Sequence, residues 1–412
     1  MNRHLGIPAK VVAGIALCIL LSISTSCEYF DPLDPFNRGV TDTAITWEKR
    51  MGDNGEDRGM SVEQTVDGGY IITGYTQKFP TPGDFDVWLI KTDSSGNKEW
   101  DKPFGGSGDD RGYSGQQTAD GGYIITGYTN SKGAGGNDVW LIKIKPDTEG
   151  EIEWDQTYGG TKGEKGSFVQ QTSDGGYIIT GATESFVAPG DSTCDLWLIK
   201  TDSLGNEEWS STFGDIYSDW GYCVRQTSDG GYIIGGLTQS SSTDDNAYLV
   251  KTNSLGNEQW SKKFGKSDQL DGGTCVLQTT DGEYVLAGYT HSYGAGGFDV
   301  WMIKTDDTGS KLWDETFGGG AWDQADCVQQ TMDGGYIIAG MTRSGVFGAF
   351  WEDVWLIKTD ASGEEQWNKD FGGDAIDHGR SVQQTADGGY IIVGDTNSFS
   401  GGTNLFLIYY KP

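Results

Sequence analysis

From residue 45 onward, short apolar or alternating runs recur along the chain, separated by glycine, aspartate and asparagine. In one stretch Ser114 to Thr118, Tyr123 to Thr129, Val139 to Lys143 and Glu153 to Tyr158 each have the length and punctuation of a β-strand. Asp120-Gly121-Gly122 supplies the positive-φ residues of a tight turn between the first two runs. Asp93-Ser94-Ser95-Gly96-Asn97 does the same between the third and fourth runs of the preceding unit. No segment sustains a helical period, so the chain reads as all-β.

The pattern is a repeat. DGGYIITGYT stands unchanged at Asp67 to Thr76 and at Asp120 to Thr129, and returns with small changes from Asp174, Asp229, Asp281, Asp333 and Asp387. A tryptophan marks the same seven units: Trp47, Trp100, Trp154, Trp209, Trp260, Trp313 and Trp367, at intervals of 51 to 55 residues. This period and four strands per unit predict a single seven-bladed β-propeller over residues 45–412. Two tight hairpins per unit place the SVQQT-type strand innermost, YIITG second, VWLIKTD third and the tryptophan strand outermost. The last unit ends at Phe406 to Tyr410 without a fourth strand, and Ile45 to Gly52 precedes the first unit unattached. The Trp47 strand is therefore expected to complete the seventh blade, which removes an exposed sheet edge.

The N-terminus follows another logic. Arg3 and Lys10 precede an apolar run from Val11 to Leu21, too short to span a bilayer, followed by Ser22 to Ser26 and Cys27. Residues 1–26 read as a signal peptide, Cys27 as the acceptor of a lipid anchor, and residues 27–44 as a tether with no transmembrane helix. The acyl chains would place the protein at the cell envelope or cell surface. A net charge of −31 excludes the basic footprint of a nucleic-acid binder. Beyond Cys18 and Cys27, only Cys194, Cys223, Cys275 and Cys327 remain, with no CxxC pair to suggest a metal site.

The unit DGGYIITGYT…DVWLIKTDSSGNKEW resembles the repeat of bacterial and archaeal secreted propeller proteins, and its turn-then-tryptophan ending is similar to quinone-type and Kelch-like repeats. Sequence groupings also place such repeats near endoglucanases, so the resemblance implies a propeller fold and, more distantly, a glycan-cleaving activity.

Aligning the units on their Gln-Thr pairs brings one acidic residue into register in each: Asp57, Asp110, Glu164, Asp219, Asp271, Asp323 and Asp377. In the loop entering the inner strand, these carboxylates would ring one face near the central channel. They could hold calcium or a cationic ligand, or could accept hydrogen bonds that lock each blade to its neighbour. A second acidic position precedes the third strand at Asp86, Asp138, Asp195, Asp299 and Asp353, with Asn246 and Asn404 in the other units. The lysines Lys91, Lys143, Lys200, Lys251, Lys304 and Lys358 end the third strands, where turn carboxylates can meet them. Cys223, Cys275 and Cys327 share one inner-strand position in consecutive units and are expected to fill separate packing interfaces.

Departures from the repeat are better pointers to a ligand. Tyr217, Trp220, Trp322 and His378 flank the acidic position. Phe79, Phe85, Phe186, Tyr293, Phe298, Phe347, Phe350, Trp351 and Phe399 occupy the variable loops on the same face, and His291 opens one of them. Aromatic rings on an acidic face suit a glycan; equally, they could cap the blade interfaces. No Ser/His/Asp order, HExxH or phosphate-cradling loop is present. The expected function is a non-catalytic binding or scaffold propeller for a glycan or extracellular protein, needing no cofactor, with calcium as an option. The alternative is a glycoside hydrolase using two carboxylates of the acidic ring.

Overall fold

The structure, a computed structural model, describes residues 45–53, 55–77, 84–187, 193–241, 243–344, 351–399 and 402–412. The expected signal peptide, Cys27 and the tether lie outside the described residues, as do Phe79, Phe347 and Phe350. Contacts divide the chain at Thr43, and the unit from Ala44 to Pro412 carries the repeats. Its strands form seven four-stranded antiparallel sheets. No helix among the described residues is long and apolar enough to cross a membrane.

Blade 1 runs from inside to outside as Asp57–Gln64, Tyr70–Gln77, Phe85–Thr92 and Lys98–Phe104. The inner strands of blades 2 to 7 are Asp110–Gln117, Glu164–Gln171, Asp219–Gln226, Asp271–Gln278, Asp323–Gln330 and Asp377–Gln384. In blade 7 the order is Asp377–Gln384, Tyr390–Thr396, Asn404–Tyr410 and then Ile45–Met51, with Trp47 opposite Tyr409. The first strand thus completes the last blade.

The apolar residues of second and third strands, such as Ile72, Leu89 and Ile90, are wholly buried. Each outer tryptophan reaches the tyrosine of the next blade's DGGY turn: Trp100 to Tyr123 at 6.1 Å, Trp260 to Tyr284 at 5.8 Å, and Trp47 to Tyr70 at 6.0 Å across the closure. The third-strand lysines are buried, and their amines meet turn carboxylates, as in Lys91–Asp67 at 2.9 Å and Lys200–Asp174 at 3.0 Å. In blade 7 the Tyr409 hydroxyl and Lys411 take that place beside Asp387.

The acidic positions lie elsewhere than expected. Each is the first residue of the inner strand, paired with the last threonine or its equivalent in the second strand, as in Asp57 opposite Thr76. That pairing brings the residue into the strand, and in five blades its backbone N–H also donates to the neighbouring blade, from Asp57 to the Thr403 carbonyl at 2.9 Å and from Asp323 to that of Phe298 at 2.7 Å.

Candidate functional site

All seven acidic residues have no exposed surface, and none lines the central cavity as a ring around the channel would; of the two alternatives, their surroundings match the hydrogen-bonded lock. Strand alternation turns them into the blade layer, where hydrogen-bond donors meet most of their oxygens. Each accepts a backbone N–H from four or five residues upstream, from Gly106 to Asp110 at 2.8 Å, Gly160 to Glu164 at 2.9 Å and Lys266 to Asp271 at 3.4 Å. In blades 1, 2, 3, 5 and 6 a second-strand threonine adds its hydroxyl, as Thr129 does to Asp110 and Thr342 to Asp323. The carboxylate thereby fastens the link between blades to the inner strand it enters. Burial pushes Asp219 up to about 7, against the opposing Thr238 and Asp215 hydrogen bonds. Asp353, of the second acidic set, is pushed up to about 7 by burial and then by Asp370 and Asp377. Among the described residues no group of three or more His, Cys, Asp or Glu is placed to hold a metal ion.

The inner strands enclose a central cavity of about 1100 Å³. Two residues past each acidic position the strand bulges, for example between Gly59 and Ser61, and the residue there turns to the channel mouth. Met60, Tyr113, Ser167, Tyr222, Thr274, Asp326 and Arg380 hold this position, one per blade, and all line the cavity. They carry six residue types in seven blades, tyrosine recurring in blades 2 and 4, while the buried positions around them repeat. With Trp220, Tyr289, Phe298 and Trp322, they give the wall formed by blades 4 to 6 an aromatic character. Trp322 is 40% exposed and packs, tilted, at 5.1 Å on Phe298.

The other candidates fall into different settings. His378 is buried, with Nε2 at 2.5 Å from Asp326 and Nδ1 at 3.8 Å from Glu352, and does not line the cavity. Trp351 is exposed and Tyr217 half-buried, both away from the cavity. Phe85, Phe186, Tyr293 and Phe399 pack on Tyr75, Trp197, Trp301 and Phe406 respectively, each within its own blade. The His291 ring packs at 5.2 Å on Phe298.

The three cysteines also correct the reading. They line one cavity wall together instead of filling separate interfaces, with the Cys223 and Cys275 sulfurs 3.8 Å apart. The bulge turns this position toward the adjacent inner strand, where Cys223 meets the Val276 carbonyl at 3.4 Å. Ser61 makes the corresponding link in its blade, accepting the Gly115 N–H at 3.0 Å.

A further set went unrecognised in the sequence: the glutamines used there only for alignment. The second glutamine of each pair accepts a backbone N–H from the turn of the preceding blade in all seven junctions, for example Val66 N–H to Gln117 at 2.9 Å and, across the closure, Ala386 N–H to Gln64 at 2.9 Å. The first position faces the channel and accepts the N–H of the next blade's Gln in five blades, as Gln116 does from Gln171 at 2.5 Å, with Glu63 substituting in blade 1. It is interrupted by Arg225 in blade 4 and Leu277 in blade 5. The signal was present: the residue before each Gln-Thr pair is Glu, Gln, Gln, Arg, Leu, Gln and Gln in turn.

No protein-family model matches the chain, and no curated protein matches it. Among solved structures, the polysaccharide lyase Uly1 superposes with a TM-score of 0.53 at 11% identity, covering 86% of this chain and 90% of that one. A protein of unknown function from Dyadobacter fermentans gives 0.49 at 10% identity, covering 89% and 100%. The Pan2 WD40 domain of Neurospora crassa gives 0.48 at 11% identity, covering 86% and 89%. At these identities the likeness is one of fold alone.

Proposed function

We propose that the protein is a non-catalytic binding propeller, held at the cell envelope by a lipid on Cys27, that takes a glycan at the mouth of its central channel. The observation that carries this reading is where the repeat varies. Positions that build the blades recur with little change, whereas the cavity-lining position at the mouth carries six residue types in seven blades. Internal sameness serves the scaffold; difference confined to one cavity serves a ligand that lacks sevenfold symmetry. The aromatic wall of Trp220, Tyr222, Tyr289 and Trp322 offers flat apolar faces for the C–H faces of sugars, and Asp326, Gln324 and Arg380 offer polar groups for hydroxyls. The ring carboxylates are sealed inside the blades, which supports binding over a hydrolysis that would use them.

Full-length protein is screened on a glycan array, with parallel assay of released reducing ends. The reading expects retention of a glycan without new reducing ends, lost in Trp220→Ala and Trp322→Ala. Reducing ends generated by wild type would overturn the non-catalytic part. Retention undiminished in both variants would overturn the site. Mass spectrometry of the N-terminal peptide tests the anchor: an acylated Cys27 is expected, and a protein that still begins at Met1 or carries a free Cys27 contradicts it.

A further inference from the structure

Most cations around the cavity are neutralised in place. Arg58 pairs with Glu56 at 2.8 Å and Asp395 at 3.3 Å, Arg111 with Asp109 at 2.9 Å, and Arg380 with Asp395 at 3.0 Å. Two are not. Among the described residues, Lys165 and Arg225 have no ion-pair partner, and both line the cavity, on blades 3 and 4. Lys165 Nζ lies 5.6 Å from the Trp220 ring at the mouth, and the Arg225 guanidinium lies 4.4 Å over Phe168, deeper in the channel. Arg225 stands about four strand steps below Trp220, roughly 13 Å at the usual rise.

The setting of Arg225 is short of acceptors. In five blades the residue at its position accepts the channel-facing N–H of the next blade. Arginine has only donors and leucine has neither donor nor acceptor. Arg225 and Leu277 therefore leave the N–H groups of Gln278 and Gln330 without the side-chain cap their counterparts have. Phe168 is the one aromatic residue at a position otherwise held by serine or cysteine, and it holds the guanidinium on the blade 3 side, away from Gln278. The counter-charge that Arg225 feels in the channel is Glu63 of blade 1, beyond ion-pair distance, whose carboxylate accepts the Gln117 N–H at 2.6 Å. A guanidinium and uncapped backbone N–H groups facing one channel can together receive a carboxylate.

We propose that Arg225, with the Gln278 and Gln330 N–H groups, forms an anion site within the channel, and that the glycan taken at the mouth is acidic, its uronate carboxylate held at Arg225 with Lys165 guiding entry. The glycan part rests on the function proposed above; the anion site does not. Arg225→Gln restores the residue of the other blades and supplies the missing acceptor to Gln278, so this variant is expected to fold with a melting temperature equal to or above wild type.

Full-length protein and Arg225→Gln are titrated by calorimetry with tetragalacturonate and with a neutral tetraglucan, and by thermal shift with glucuronate alone. Wild type is expected to bind the acidic tetramer at least 10-fold more tightly than the neutral one. Arg225→Gln should bring the two within 2-fold without weakening the neutral ligand, and Lys165→Gln should slow association of the acidic tetramer only. Equal affinities in wild type, or an acidic preference that survives Arg225→Gln, would overturn the inference while leaving neutral glycan binding intact. If neither tetramer binds but glucuronate stabilises wild type and not Arg225→Gln, the anion site stands and the glycan reading falls. Failure of all three ligands overturns both.

Discussion

A lysine amine can be buried only where its charge is met, and each blade meets it with the carboxylate that opens the DGG turn. Burial raises Asp67, but hydrogen bonds from Thr65 and Lys91 outweigh it and hold the carboxyl at about 2; Asp120, Asp174 and Asp229 are held at about 2 in the same way. Asp219 and Asp353 lie in the opposite direction, at about 7. The signs give a curved stability profile. As pH falls from 7 to 4, the folded protein binds protons at Asp219 and Asp353 that the unfolded chain does not, so stability rises. Below pH 4 the unfolded chain takes up protons that the four turn aspartates resist, so stability falls toward pH 2. Melting temperature against pH should peak between 4 and 5, and Asp353→Asn should flatten the rise between 7 and 4. A monotonic decline from pH 7 would contradict this. Removing one ring carboxylate, as in Asp323→Ala, leaves the Gly319 and Arg343 N–H groups and the Thr342 hydroxyl without an acceptor and is expected to cost about 2–3 kcal/mol in urea denaturation.

At the level of strands and turns, the blade interface repeats one device. The outer tryptophan of a blade covers the tyrosine and the turn glycine of the next. Gly96 has φ +72°, and a Cβ there would lie 2.4 Å from the Trp47 ring. Gly96→Ala should therefore lose about 1–3 kcal/mol by denaturation, through both strain and overpacking at the blade closure. Deleting Ile45–Met51 would expose the Asn404–Tyr410 edge, and the expected result is self-association by size-exclusion chromatography. Strand order and closure were legible because turn chemistry and the unpaired first and last runs dictate them. The start of the inner strand was not, since Asp57 joins it by pairing with Thr76 and is held by a bond to Thr403, a partner distant in sequence. Nor was the orientation of Cys223, Cys275 and Cys327, because a one-residue bulge reverses which side an alternating strand presents.

Over the whole molecule, a net charge of −31 surrounds a channel with two unpaired cations. An acidic ligand must cross that field, so its association should depend on salt, whereas neutral glycan binding should not. The fully buried acidic ring predicts that chelation leaves the melting temperature unchanged; a fall with EDTA, restored by calcium, would require the blades to open around the carboxylates. Of the site, the sequence singled out Trp220 and Trp322, which the fold brings to one wall, along with Trp351, Tyr217 and His378, which it does not. What separated them was the channel itself, which exists only once seven inner strands face each other. The claim that this mouth is the ligand site is tested most directly by calorimetry of the array-selected glycan against wild type and Trp220→Ala. The account predicts at least a 10-fold loss of affinity with melting temperature preserved, whereas unchanged affinity would place the ligand elsewhere on the propeller.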